Sequence, residues 1–237
     1  MMLNGNNLIN FFWNFLLDAI YPKKCRQCGA FGFYLCEKCV NGLKLKKEIQ
    51  CSVCENNLGQ CRCQSSLDGL FVIGDYHQDL LQKIVKEIKY GFYFKLGESY
   101  FLLLGKYFLQ NQGWIKEAVI VPVPLHRKRF LWRGFNQAEL IGREINKVVG
   151  NLVDTNLLFR IRFNEPQANL SAEARKNNVR GVFAVNLNNE LNKNHPIILV
   201  DDVYTTGSTM LECARVLREA GFKKVFGLVI AREGKKY

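Results

Sequence analysis

The sequence predicts an α/β protein, a mainly parallel sheet flanked by helices, with a small cysteine-rich module at its N-terminal side. Three observations carry this. From Leu70 onward, apolar strand-like runs alternate with amphipathic helical patterns, as βαβ units require. Eight of the nine cysteines lie between Cys25 and Cys63. The run PIILV ends in Asp201-Asp202 and passes at once into a loop of threonine, glycine and serine that opens a helix.

The elements follow in order. Leu8, Phe11, Phe12, Phe15 and Leu16 fall at helical spacing, so residues 1–24 are expected to hold an amphipathic helix. Its apolar part is short for a bilayer and is broken by Asn10, Asn14 and Asp18, and its polar face carries no lysine or arginine. Packing on protein, without stable membrane insertion, is the expected role. No basic n-region or small-residue cleavage site is visible, so the expected location is cytoplasmic, with the inner face of the membrane as an alternative. The cysteine module spans 25–63, Gln64-Ser65-Ser66 reads as a linker, and 67–237 forms the α/β domain. Within that domain GLFVIGDY reads as a strand and QDLLQKIVKEIKY as an amphipathic helix. Glu98 to Gln110 reads as a second helix, and AVIVPVP as a buried strand ending in prolines. FNQAELIGREINKVV is helical and NLVDTNLLFR strand-like. Residues 161–180 are polar and basic without periodicity and read as a long loop. GVFAV and PIILVDD are strands, STMLECARVLREAG is a helix closed by Gly221, and KKVFGLVIAR is the last strand.

A chain of 237 residues holds one good core plus a small module. Its 33 Lys+Arg against 21 Asp+Glu give a net charge of +12, which favours an anionic partner: phosphorylated small molecules, nucleic acid or an acidic membrane face. Charge alone does not choose among these.

The cysteines read C25-RQ-C28, C36-EK-C39, C51-SV-C54 and C61-R-C63. A C-x2-C turn aims two sulfurs at one centre, and two turns complete a tetrahedral thiolate site for Zn²⁺. Disulfides, a redox centre or an iron–sulfur cluster would use the same residues. The C-x-C at 61–63 is the tighter spacing, and the pairs could combine sequentially (25/28 with 36/39) or interleaved (25/28 with 51/54). Four thiolates per ion make a closed, structural site with no catalytic role. Eight basic residues against three acidic ones between Lys23 and Cys63 give the module a basic face, which suits nucleic acid or plain solvation.

PIILV places Asp201 and Asp202 at the carboxyl end of a buried strand, where open parallel sheets bind ligands. Gly207 permits close backbone approach, and the hydroxyls with the free N–H groups of the helix start make an anion cradle. One end of the ligand is therefore phosphate. The other end offers groups two carboxylates can accept from, such as a pair of sugar hydroxyls, directly or through Mg²⁺. A ribose 5-phosphate meets both demands. LVDDVYTTGSTM resembles the phosphoribosyl pyrophosphate (PRPP) motif of type I phosphoribosyltransferases. The resemblance implies PRPP contacts along Val200, Asp201, Asp202, Val203, Tyr204, Thr205, Thr206, Gly207, Ser208 and Thr209. Asp201 and Asp202 would hold the ribose hydroxyls and Thr205 to Thr209 the 5-phosphate, with magnesium accompanying PRPP.

KYGFYFKLG, VPVPLHRKRFLWRGFNQAEL, EPQANLSAEARKNNVRGVF and the terminal LVIAR together resemble the ComF competence-protein family. Its members similarly join a cysteine-rich zinc module to a type I phosphoribosyltransferase-like domain. The resemblance runs from about Cys25 to Arg232 and implies cytoplasmic handling of incoming single-stranded DNA during natural transformation. In that frame VPVPLHRKR turns from a strand into a loop, where Pro124, Leu125 and Arg127 suit the pyrophosphate, as do Lys128 and Arg129. Arg133, Gly134, Asn136 and Gln137 open a helix that could bind phosphate or the sugar edge. The long loop is expected to close over PRPP, with Arg175 or Lys176 as the catalytic cation beside Asp201 and Asp202. The aromatic segment Tyr90 to Tyr100 is the expected hood. Two functions stay open: a PRPP-binding protein that handles DNA, or an active transferase moving ribose 5-phosphate to a base or ammonia nitrogen. An adaptor role toward a DNA-translocating ATPase or helicase is compatible with the first.

Overall fold

The computed structural model describes residues 22–89, 93–111, 115–162 and 179–234, with side chains from 102 onward in the helix that starts at Tyr93. The helix expected at 7–20, the loop cations Arg175 and Lys176, and the side chains of the Tyr90–Tyr100 hood lie outside these residues.

Elements follow the alternation the sequence dictates: α1 (Glu37–Asn41), β1 (Gly69–Asp75), α2 (Asp79–Lys89), α3 (Tyr93–Gln110), β2 (Val119–Pro122), α4 (Arg127–Arg133), α5 (Gln137–Val149), β3 (Leu158–Arg160), β4 (Phe183–Val185), β5 (Ile197–Tyr204), α6 (Ser208–Glu219) and β6 (Val225–Arg232). Four strands form one parallel sheet in the order β1-β6-β5-β2. Because side chains alternate along a strand, each apolar strand feeds two layers. Phe71, Ile73, Ile198, Val200, Leu228 and Ile230 face α2, α3 and α5. Leu70, Val72, Ile197, Leu199 and Val229 face α6, which packs Met210, Cys213, Ala214 and Leu217 against them. Helix α5 starts where the Asn136 side chain accepts from the Ala138 N–H and ends at Gly150, whose φ of 77° is the left-handed turn a helix stop needs.

Two expectations change. NLVDTNLLFR and GVFAV supply only the short β3 and β4, which pair antiparallel with each other outside the main sheet. The turn after the prolines coils into α4. The His126 side chain caps it by accepting from the Lys128 N–H, and Gly134 closes it with φ 80°.

The cysteine module packs on the α/β domain. Gln50 and Leu70 exchange both backbone hydrogen bonds at 2.9 Å, which covers the outer edge of β1. Leu35 and Val40 enter the core layer under α2 and α3. Residues 64–66 are tied down as well: the Ser65 hydroxyl bonds that of Ser52 at 2.7 Å, and Ser66 Oγ donates to the Leu211 carbonyl at 2.9 Å.

Candidate PRPP site and metal centres

Strands β2 and β5 run side by side, Pro122 opposite Val200, so their carboxyl ends open at one edge of the sheet. There the chain changes from buried valine and leucine to Asp201, Asp202 and the loop Thr205–Gly207. Gly207 is the N-cap of α6 with φ 75°. A Cβ at this position would stand 2.0 Å from Tyr204 Oη, so both the backbone angle and the space exclude any side chain. Thr206 and Ser208 hydroxyls bond each other at 2.5 Å, and the Ser208 N–H leans on Thr206 Oγ1 at 3.4 Å. With Asp201, Val203 and the run Tyr204–Met210 they line a hollow of about 50 Å³. The first N–H groups of a helix have no intrahelical acceptor, so this hollow presents donors and a positive dipole end to an anion.

Asp202 is 5% exposed, and its own N–H donates to Asp201 Oδ1 at 2.8 Å. Burial, then the adjacent Asp202 carboxylate, push the Asp201 carboxyl up to about 8. Asp202 Oδ2 is buried and accepts no hydrogen bond; its ion-pair partner among the described residues is Lys89 Nζ, 3.5 Å away at the end of α2. An orphaned carboxylate oxygen beside a second acid fits hydroxyl donors or a hard cation.

Pro124 and Leu125 follow β2 at the same edge, half-buried, and Arg127 and Lys128 are exposed on α4. Arg129 and Arg160 are both lowered, each chiefly by burial. Burial, then Arg129, lowers Arg160, which also feels Asp201; burial, then Arg133, lowers Arg129. His126 is lowered by burial, then by Arg160, Lys128 and Arg129. Arg133 Nη1 donates to Gln137 Oε1 at 2.8 Å, while its buried Nε has no hydrogen-bond acceptor. Asn136 Nδ2 donates to the Val123 carbonyl, fastening the start of α5 to the strand.

The eight clustered cysteines combine sequentially. Cys25, Cys28, Cys36 and Cys39 form one quartet, and Cys51, Cys54, Cys61 and Cys63 the other, each with its sulfurs within 4.8 Å of one another. None of the nine cysteines is in a disulfide. A tetrahedral zinc site with Zn–S near 2.3 Å sets sulfurs about 3.8 Å apart, so both quartets could hold an ion. The irregular C-x-C closes its quartet within the same limit as the regular spacing. In each quartet one thiol is made a ready ligand by backbone donors. Burial raises Cys25, but N–H groups of Cys28, Cys36 and Gln27 outweigh it and bring it down to about 6. Cys51 likewise falls to about 7 through Cys54 and Val53.

Sequence reading missed Lys89, Arg160 as a site residue, and Arg232. Lys89 ends a regular amphipathic helix and Arg160 a short strand. Arg232 follows seven strand residues. Only Arg232 carried a signal, a charge at the end of an otherwise apolar run.

The phosphoribosyl transferase domain model matches residues 157–237. Competence protein F of Haemophilus influenzae is 26% identical over 216 residues, 81% of this chain and 94% of that protein. The DNA utilization protein YhgH of Escherichia coli is 37% identical over 102 residues, 43% of this chain and 44% of that protein. Competence protein ComFC of Bacillus subtilis is 33% identical over 106 residues, 45% of this chain and 40% of that protein. The chain is a homologue of these competence and DNA utilization proteins and carries a phosphoribosyl transferase domain, as its motifs implied. No helix among the described residues is long and apolar enough to cross a membrane.

Proposed function

We propose that this homologue of competence and DNA utilization proteins binds PRPP at the carboxyl edge of its sheet and handles incoming single-stranded DNA in the cytoplasm. The observation that carries the reading is the pairing, on one strand end, of Asp201-Asp202 with the glycine-opened loop Thr205–Thr209. The loop takes the 5-phosphate through helix-start N–H groups and hydroxyls. The acids accept from the ribose hydroxyls. Arg127, Lys128 and Arg129 supply positive charge for pyrophosphate, with Arg175 or Lys176 arriving from the long loop. Magnesium bound with PRPP adds charge neutralisation at the pyrophosphate. Lys89 balances Asp202 until the ligand arrives. The cysteine quartets each hold a structural zinc ion.

The names of the homologues support the DNA side, and so does α4. It exposes Leu131 and Trp132 at 71% and 75%, together with Phe130, between Arg127, Lys128 and Arg133. Exposed aromatics among cations stack bases while holding phosphates. A second reading, transfer of ribose 5-phosphate to a nitrogen acceptor, is favoured by the acidic pair. Such a pair stabilises a cationic ribosyl transition state once water is excluded. Release of pyrophosphate from PRPP in the presence of a base or ammonia would decide for it.

Calorimetric titration of the zinc-loaded protein with PRPP and Mg²⁺, beside an Asp201→Asn/Asp202→Asn variant, tests the site. Saturable binding by the parent protein and its loss in the variant is the expected result. No binding by the parent protein overturns the PRPP reading. DNA binding that weakens steeply with salt supports the nucleic-acid side, and none at low salt removes it.

A further inference from the structure

Arg232, the last residue of β6, is 4% exposed and carries a permanent charge. Its Nη1 donates to the Cys51 carbonyl at 2.8 Å and its Nη2 to the Ser52 carbonyl at 3.0 Å. Both carbonyls belong to the turn that presents Cys51 and Cys54 to the second quartet. The guanidinium also lies over the ring of Tyr204, 5.0 Å from its centre. Tyr204 is the last residue of β5, and its hydroxyl donates to the same Ser52 carbonyl at 3.1 Å. Its ring fills the space that a Cβ on Gly207 would need. One unbroken set of contacts therefore runs from the Cys51–Cys54 turn, through Arg232 and Tyr204, to Gly207 in the phosphate loop.

The charges give this path a direction. A buried guanidinium needs compensation, and the nearest carboxylate is Glu55 Oε1, 3.6 Å from Nε. Four thiolates around one divalent ion carry a net charge of about −2, whereas four thiols are neutral. Metal in the second quartet would thus add to the Glu55 counter-charge, favouring the buried Arg232 and the Cys51–Ser52 carbonyls turned toward it. The first quartet has no such connection among the described residues; its contacts go to α2 and α3.

We propose that Arg232 and Tyr204 are positioning residues that link divalent-metal occupancy of Cys51, Cys54, Cys61 and Cys63 to the order of the phosphate loop Thr205–Thr209. Metal loading of the second quartet then strengthens phosphate-ester binding at the loop, and ligand at the loop tightens metal binding by the same factor, since coupling between two sites is reciprocal in affinity. Tyr204→Phe removes the hydroxyl that reaches Ser52 and keeps the ring that packs on Gly207. The inference shares the reading of this loop as a phosphate site, so its test includes a measurement that needs no ligand.

The experiment is hydrogen exchange of the Thr205–Thr209 amides in the zinc-loaded full chain, in Tyr204→Phe, and in a Cys54→Ser/Cys63→Ser variant. A Cys28→Ser/Cys36→Ser variant serves as control. Loop exchange is expected to quicken by about tenfold in the second-quartet variant, by severalfold in Tyr204→Phe with both zinc ions retained, and not in the control. Zinc loss to a chromogenic chelator, with and without Mg²⁺–PRPP, reads the same link from the other end. PRPP is expected to slow loss of one zinc in the parent protein, and to slow it less in Tyr204→Phe. Unchanged loop exchange in Tyr204→Phe with zinc retained overturns the linkage, even if the cysteine variant fails to fold. Changed exchange in a protein that does not bind PRPP would keep the linkage and remove the PRPP reading.

Discussion

The two cysteine quartets use the same four donors within the same 4.8 Å, yet the chain attaches them differently. The first hangs on helices. Arg26 pairs with Glu87 of α2 at 2.6 Å, Lys106 of α3 donates to the Val40 carbonyl at 2.7 Å, and Leu35 and Val40 fill a gap in the helical layer. The second is held by the sheet, through the Gln50–Leu70 bonds on β1 and the Arg232 guanidinium on β6. Identical donor sets are thus attached either to helices or to the sheet; what differs is the residue behind the carbonyls of the cysteine turn. One arginine represents each attachment, and they sit at opposite ends of the energetic range.

Arg232→Met should give the largest effect. It leaves the Cys51 and Ser52 carbonyls without their buried donors and removes a compensated interior charge, a change that costs about 3–5 kcal/mol. Urea unfolding with a zinc assay should show a lowered midpoint and loss of one zinc ion, that of the second quartet. Loss of zinc from the first quartet instead would reverse the comparison.

Asp201→Asn comes next and has the opposite sign. The folded carboxyl titrates at about 8, above its ordinary 3.8, because burial and Asp202 disfavour its charge. Such a group adds stability that is complete below about pH 4 and lost as pH rises through about 8. The asparagine variant lacks this loss, so at pH 9 it should be more stable than the parent by roughly 2–4 kcal/mol, short of the full value of the shift because Asp201 is only half-buried, and equal to it near pH 4. It should also fail to bind PRPP, the usual exchange of stability for function at a charged site. Urea midpoints across this pH range check the sign, and a flat difference would show that Asp201 ionises freely.

These two residues also mark what could be read from the sequence. Asp201 was legible because everything that gives it meaning lies within ten positions: the apolar strand before it, Asp202 beside it and the small-residue loop after it. The parallel sheet was legible for the same local reason, since strands buried on both faces read as continuous apolar runs. Arg232 was not, because its partners Cys51 and Ser52 are about 180 residues away and only the fold joins them. Helix α4 was missed for a different reason. Five of its seven residues are exposed, so it has no apolar stripe, and its only signals are the capping His126 and Gly134. The short β3–β4 pair fell between the two cases: its apolar residues read as strands, but their pairing joins segments more than twenty residues apart in sequence.

Lys106→Met probes the helix-borne quartet. Its ammonium donates to the carbonyl of Val40, one residue past the ligand Cys39. Loss of one charged hydrogen bond at a part-buried site should cost about 1–2 kcal/mol. Zinc should leave the first quartet faster, with exchange of the Thr205–Thr209 amides unaltered. A quickened loop would mean that both quartets communicate with the ligand site.

Arg26→Met should give the smallest effect, because the arginine of the pair it breaks reaches solvent: its side chain is 36% exposed, against 19% for Glu87. Such pairs contribute about 0–1 kcal/mol. The pH dependence is more informative than the size. Burial raises the Glu87 carboxyl above its ordinary 4.5, and Arg26 works against that rise. Glu87 Oε2 is buried with no hydrogen-bond donor, so the arginine is what makes its ionised form tolerable. Without Arg26 the folded carboxyl should titrate higher still. A carboxyl raised on folding loses stability as pH climbs from its unfolded value through its folded one. The cost of Arg26→Met should therefore be near zero at pH 4, where Glu87 is largely protonated, and reach its full size by pH 8. Thermal melts of the two proteins at those pH values decide it. A cost that is equal at both would assign Arg26 to packing, through its contact with the Tyr34 ring at 5.5 Å, rather than to charge.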